Sequence, residues 1–177
     1  MKGKNHLIAG AVTTTCITAS AFIEGTHEIV PIAVMASMTM LGSMFPDIDT
    51  RTSKISKKAK VTSLVISKLF GHRGLMHSPI LAAVVYLLCT SFLSTSPYAC
   101  VYIGFLAGVL THLACDIMTK GGIPIFYPWD RVRFSVGIFP SGSKLEFIFL
   151  IFVSVAIVGL SIFMMCKGIW ISTFILS

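Results

Sequence analysis

The chemistry open to this 177-residue chain rests on five histidines, seven acidic residues and a few arginines set in short groups. His112 and Asp116 are four apart, which on a helix stacks both side chains on one face about one turn from each other. Two readings fit that pair: two ligands of one metal ion, or a histidine hydrogen-bonded to a carboxylate between helices. Asp47 and Asp49 alternate in the run FPDIDT, where both can reach a divalent cation, or one can bind while the other orients a nearby histidine. Solvated aspartates at a helix end are the alternative, although acidic groups sit badly beside a C-terminal helix dipole unless a cation offsets them. The segment GHRGLMHSP is the most specific stretch. Ser78 and Pro79 read as the N-cap and first position of a helix, and Gly71 and Gly74 let the backbone turn around His72, Arg73 and His77. Two histidines held there suit Zn, Mn or Fe, and Arg73 suits a bidentate grip on phosphate. Interfacial His and Arg facing lipid headgroups are the competing reading. Glu146 has a structural rival of its own, because Ser143, Lys144, Leu145 and Glu146 form a capping-box pattern.

These residues must be positioned by membrane helices. Hydrophobic residues make up 55% of the chain and charged ones only 12%, too few to solvate a globule and well under the ordinary ~25%. Five apolar runs, at about 7 to 23, 30 to 45, 79 to 95, 99 to 118 and 147 to 166, hold no Lys, Arg or Glu. Each approaches the ~20 residues needed to cross a bilayer. The expected fold is therefore an all-α integral membrane protein of about five transmembrane helices forming a single domain. With the N-terminus cytoplasmic, the inner segments carry 2, 7 and 4 of the 14 Lys and Arg, leaving only Lys167 outside. The positive-inside rule selects that orientation, so the net charge of +7 reads as topology before it reads as nucleic-acid affinity. Lys2, Lys4, the first apolar run and the triplet Ala19, Ser20, Ala21 also resemble a signal peptide, but the run exceeds the usual ~7–15 residues and a retained span is expected. The five cysteines are scattered and odd in number, as small core residues of a reduced protein would be.

On this topology, nine of the twelve acidic and histidine residues fall at the cytoplasmic face: His6, Asp47, Asp49, His72, His77, His112, Asp116, Asp130 and Glu146. Glu24, His27 and Glu28 lie outside and serve as an internal control. Residues 53 to 70 alternate apolar and basic faces, which fits either a helix on anionic lipid or a solvated basic loop. The run IPIFYPW at 123 to 129 is too short to span and reads as a re-entrant or interfacial segment.

His6, FPDID (45 to 49), HRGLMHS (72 to 78), THLACDIMTKGGIP (111 to 124), Pro128 and Glu146 together resemble the YdjM-like family. Its members are bacterial inner-membrane proteins classed as membrane-bound metal-dependent hydrolases and often described as LexA-regulated. That family is similar in turn to zinc-dependent phospholipases C and single-strand nucleases. The resemblance implies His6, Asp47, His72, His112 and Asp116 as metal ligands, with Asp49, His77 and Glu146 as further candidates, and zinc ahead of Mn or Fe. It also implies inner-membrane residence and a place in the SOS response, the latter encoded in upstream DNA rather than in the chain. The soluble relatives use a mature N-terminal amine and more histidines than this sequence holds, so one or two metals are expected.

Three functions compete. The first is a hydrolase of phosphoesters, such as lipid headgroups, in which metal-activated water attacks while Arg73, with His77 and Asp49, assists at the reacting phosphate. The second is a metal or proton transporter, since intramembrane ionisable groups often mark ion paths, although such sites usually sit near the midplane. The third is a non-catalytic membrane protein whose metal locks helix ends together. The expected partners are membrane lipids and anionic headgroups, not nucleic acid. Spacing also suggests a repeated helical hairpin, with His6 heading one that ends at Asp47 and His77 heading one that ends at Asp116.

Overall fold

The computed structural model describes residues 1, 3–23, 29–49, 74–93, 99–130 and 132–167. Five helices are built from the five apolar runs: α1 (Gly3–Ile23), α2 (Ile29–Met44), α3 (Pro79–Leu93), α4 (Ala99–Met118) and α5 (Lys144–Lys167). Their limits fall within a few residues of the expected spans. Three stretches among the described residues are long and apolar enough to cross a membrane, Ile29–Asp47, Ala99–Met118 and Lys144–Phe163, while Pro79–Ser91 is apolar but shorter. Two short 3₁₀ turns, Phe45–Asp49 and Leu75–His77, follow α2 and precede α3.

The helix ends obey local rules. Pro46 has no N–H to continue α2, so the chain tightens into the turn that carries Asp47. Ser78 is extended, and its hydroxyl accepts from the Ile80 N–H at 3.3 Å, capping α3 with Pro79 at its first position. Ser143 caps α5 in the same way, accepting from the Glu146 N–H at 3.1 Å. At the end of α4 the orphan carbonyls of Ile117 and Met118 accept from the N–H groups of Val136 and Ile138 at 2.9 and 3.0 Å, so the chain after α4 doubles back across its own helix end.

The centre of the bundle is the seam between α2 and α4. A Cβ on Gly108 would lie 2.1 Å from the Thr39 carbonyl oxygen, one on Gly42 2.1 Å from that of Phe105, and one on Gly104 2.4 Å from that of Met35. Only glycine permits backbones this close, and in lipid such contact is a principal source of helix association because apolar burial gives little advantage. α1 packs against both helices of this seam, α5 packs against α1, and α3 rests on α4.

Candidate metal centre

Gly104, Gly108, His112 and Asp116 recur every four residues, so they form one stripe of α4. The glycines draw α2 in, and the two chemical residues of the stripe then sit beside its end. α1 is drawn in likewise, since a Cβ on Gly10 would meet the Ser43 side chain at 2.3 Å, and His6 lies one turn before Gly10. The turn ahead of α3 adds His77. Four chain segments thus deliver His6, Asp47, His77, His112 and Asp116 to one end of the bundle, as the expected topology required.

Their burial is nearly complete. His6, His77, His112 and Asp116 are exposed by 1% or less, and only the Asp47 side chain retains 15%. Asp116 is the hub. One carboxylate oxygen receives the Met1 amine and lies 3.3 Å from His6 Nε2. The other lies 3.6 Å from both His77 Nε2 and His112 Nε2. Asp47 faces the same two histidines, at 3.9 Å from His77 Nε2 and 4.0 Å from His112 Nε2. Separations of 3.6–4.0 Å are too long for hydrogen bonds. They are close to the ~3.4 Å edge of a tetrahedron of donors, each ~2.1 Å from a central zinc.

The protonation pattern of His112 agrees. Its Nδ1 lies 2.7 Å from the Ser43 carbonyl oxygen, which can only accept, so Nδ1 carries the hydrogen and Nε2 is left with a lone pair that could take a metal. A backbone carbonyl on the far nitrogen is the usual partner of a metal-binding histidine. His112 Nε2 and both ring nitrogens of His6 make no hydrogen bond of acceptable geometry among the described residues. Orphaned polar atoms in so buried a place are costly, and a cation would satisfy them. The His6 and His112 rings are stacked with centroids 3.6 Å apart, which holds both planes. Either of two donor sets fits an ion, His6 with Asp47 and His112 or His77 with His112 and Asp116, each having its ligand atoms within 4.8 Å and the two sharing His112.

Glu146 occupies a different place. It is fully buried, but its carboxylate accepts from the Asn5 side-chain amide and from the Gly142 N–H at 2.5 Å, while its own N–H goes to Ser143. The geometry therefore accounts for it as a cap that also ties α5 to α1. Asp49 closes the turn after α2, its side chain falling outside the described set, as do His72, Arg73, residues 53 to 70 and the control residues Glu24, His27 and Glu28. Asp130 is exposed and accepts from the Val132 N–H at 2.9 Å, well away from these roles. Sequence reasoning missed Asn5, the Ser43 carbonyl and the Met1 amine. The small-residue spacing that runs from Gly104 through Gly108 to His112 was a signal for the seam; the Ser43 carbonyl left none, being backbone.

Comparison with known proteins places this architecture. The family model described as YdjM inner membrane protein matches residues 1–177. An uncharacterized protein, YvsG, of Bacillus subtilis is 31% identical over 134 residues, covering 75% of this chain and 78% of its own length. Inner membrane protein YdjM of Escherichia coli is 34% identical over 125 residues, 67% of this chain but 59% of that protein, and the Shigella flexneri protein of the same name matches equally. No solved structure matches significantly. With apolar helices along its length and a polar cluster fit for a metal at one end of them, the chain belongs to the YdjM inner membrane protein family and is a bacterial inner membrane protein.

Proposed function

We propose that this chain is a membrane-bound metal-dependent hydrolase of phosphoesters, acting at the cytoplasmic membrane surface, with lipid headgroups as the natural substrate class. The observation that carries the reading is the convergence of three imidazoles and two carboxylates at 3.3–4.0 Å, spacings that suit shared cations better than direct hydrogen bonds. His6, Asp47, His77, His112 and Asp116 would hold one or two divalent ions, zinc first by the nitrogen and oxygen donor set. Such an ion supplies Lewis acidity, polarising a phosphoryl oxygen and making water a better nucleophile at neutral pH.

The protein's own groups do the rest. The Ser43 carbonyl holds the His112 tautomer by taking its Nδ1 hydrogen, and Asp116 orients three histidines at once. Asp47, the least buried member, stands where water and substrate would enter and is placed to accept a proton there. Arg73, four residues ahead of His77 in sequence, would neutralise charge developing on the phosphate, with Asp49 orienting a neighbouring histidine. The test is hydrolysis of phosphatidic acid and of a soluble aryl phosphate by zinc-loaded protein in nanodiscs. Turnover abolished in Asp47→Asn and reduced in Arg73→Ala supports the reading, and no turnover of any phosphoester by metal-replete protein sinks it.

A second reading has an observation of its own. Structural zinc sites are closed whereas catalytic ones keep an open position, and burial of four of the five donors to 1% exposure or less favours a metal that locks the helix ends. Metal-dependent melting without turnover would select it. Transport is disfavoured by the position of the cluster at one end of the bundle instead of its middle.

A further inference from the structure

The chain between α4 and α5 presents an apolar face that neither the metal centre nor the bundle uses. From Phe134 to Phe139 it crosses the end of α4, turning at Gly137, whose φ is +69°. It is paired with Ile123 through two backbone hydrogen bonds of 3.0 and 2.9 Å, and with Ile117, Met118 and Lys120 through three more. Phe139 turns inward and is 2% exposed, and Ser135 turns its hydroxyl to the Thr119 carbonyl, while Val132, Phe134, Val136 and Ile138 point outward at 53–69% exposure. Phe126 at 65% and Trp129 at 83% extend the same exposed surface. Ile123, fully buried, anchors the segment in the core behind α4.

Such a surface is costly in water, and contiguous apolar patches of this kind mark contact with a membrane or a partner. Two features commit it to lipid, and to one depth. Irregular backbone facing lipid is not tolerated within the hydrocarbon, which excludes deep insertion. Exposed Lys120, Arg133 and Lys144 flank the apolar side chains, as suits anionic headgroups, and Trp is a residue of the headgroup level. We infer that residues 126–130 and 132–138 form a platform lying in the headgroup and glycerol layer of an anionic bilayer leaflet. The platform is hydrogen-bonded to the last turn of α4, the helix that carries His112 and Asp116. It therefore sets the depth at which the polar cluster meets the leaflet, whatever chemistry that cluster performs.

Trp129 is a built-in probe, because Trp170 is the one other tryptophan in the sequence and Trp170→Phe leaves it alone. The full chain carrying that change is reconstituted in phosphatidylethanolamine and phosphatidylglycerol vesicles holding a nitroxide lipid labelled near the headgroup or deep in the acyl chain. The expected result is blue-shifted emission, stronger quenching by the shallow label than by the deep one, and weak quenching by acrylamide. Adding Val136→Asp, which keeps the backbone hydrogen bond, should shift emission to the red and raise acrylamide quenching. Emission open to acrylamide and untouched by either lipid label would overturn the inference in favour of a water-facing loop. Protection from all three quenchers would overturn it in favour of a protein contact such as a second copy of the chain, and an unaltered spectrum in Val136→Asp would also count against it.

Discussion

The two hairpins that each run from a histidine to an aspartate contribute matching chemistry on unequal packing. In the first, α1 meets α2 closely enough that a Cβ on Gly10 would strike Ser43, and α2 meets α4 backbone to backbone. In the second, α3 and α4 splay, leaving an apolar groove of about 480 Å³ lined by Pro79, Ala83, Tyr86, Tyr102, Ile103 and Leu110. That groove lies to the side of α4 away from His112 and Asp116, since Leu106 and Leu110, which line it, are about 80–160° around the helix from them. The site is thus held by the seam between α2 and α4, and α3 serves mainly to hang His77 from its first turn. Precision is concentrated where the polar cluster is, and the packing of α3 on α4 is left loose.

The comparison can be broken most severely at the seam. Gly108→Leu places a Cβ 2.1 Å from the Thr39 oxygen and 2.6 Å from the Ser43 nitrogen. Both are backbone atoms that cannot step aside, so the cost should exceed the ~1–3 kcal/mol of ordinary overpacking. Loss of folded protein in detergent, read by thermal melting or size-exclusion, is expected, and a melt like wild type would mean the helices do not approach this closely. Next come the two aspartates. Asp116 touches three histidines and Asp47 two, so Asp116→Asn should weaken zinc by more than about 100-fold and Asp47→Asn by less, given that even outer-sphere partners are worth ~10–100-fold. Chelator competition measures both, and equal losses would remove the hub role of Asp116.

Smaller effects sharpen the picture. Glu146→Gln gives up a charged acceptor at the start of α5 and should cost about 1–2 kcal/mol of stability with metal content unchanged. Loss of metal in that variant would return Glu146 to the ligand set. Ala83→Phe, facing the groove, should alter stability by no more than about 0.5 kcal/mol. A large drop there would show the second hairpin to be as tightly packed as the first.

Much of this was legible beforehand, for identifiable reasons. Apolar runs free of Lys, Arg and Glu located the five described helices, and Ser78 with Pro79 marked the start of α3 because capping is a local interaction. The gathering of His6, Asp47, His77, His112 and Asp116 followed from topology alone, since each sits at the end of a run that alternating spans return to the same side. Glu146 could not be decided from sequence, because a cap and a ligand ask for the same residue at the same place. It took the Asn5 amide and the Gly142 N–H to account for its carboxylate. The His112 tautomer was also hidden, being fixed by a backbone oxygen 69 residues away in sequence. An interfacial segment was expected only at 123 to 129. The apolar residues at alternate positions from Val132 to Ile138 become meaningful once that segment is known to cross the end of α4.

If the buried histidines and aspartates share divalent cations, removing one imidazole must empty the site. Elemental analysis of detergent-purified, metal-replete wild type beside His112→Ala, with His27→Ala from the chain between α1 and α2 as a control, decides the matter. One or two zinc or manganese ions per chain are expected in wild type and in the control, and none in His112→Ala. Metal-free wild type, or a His112→Ala protein that keeps its full complement, would refute shared cations.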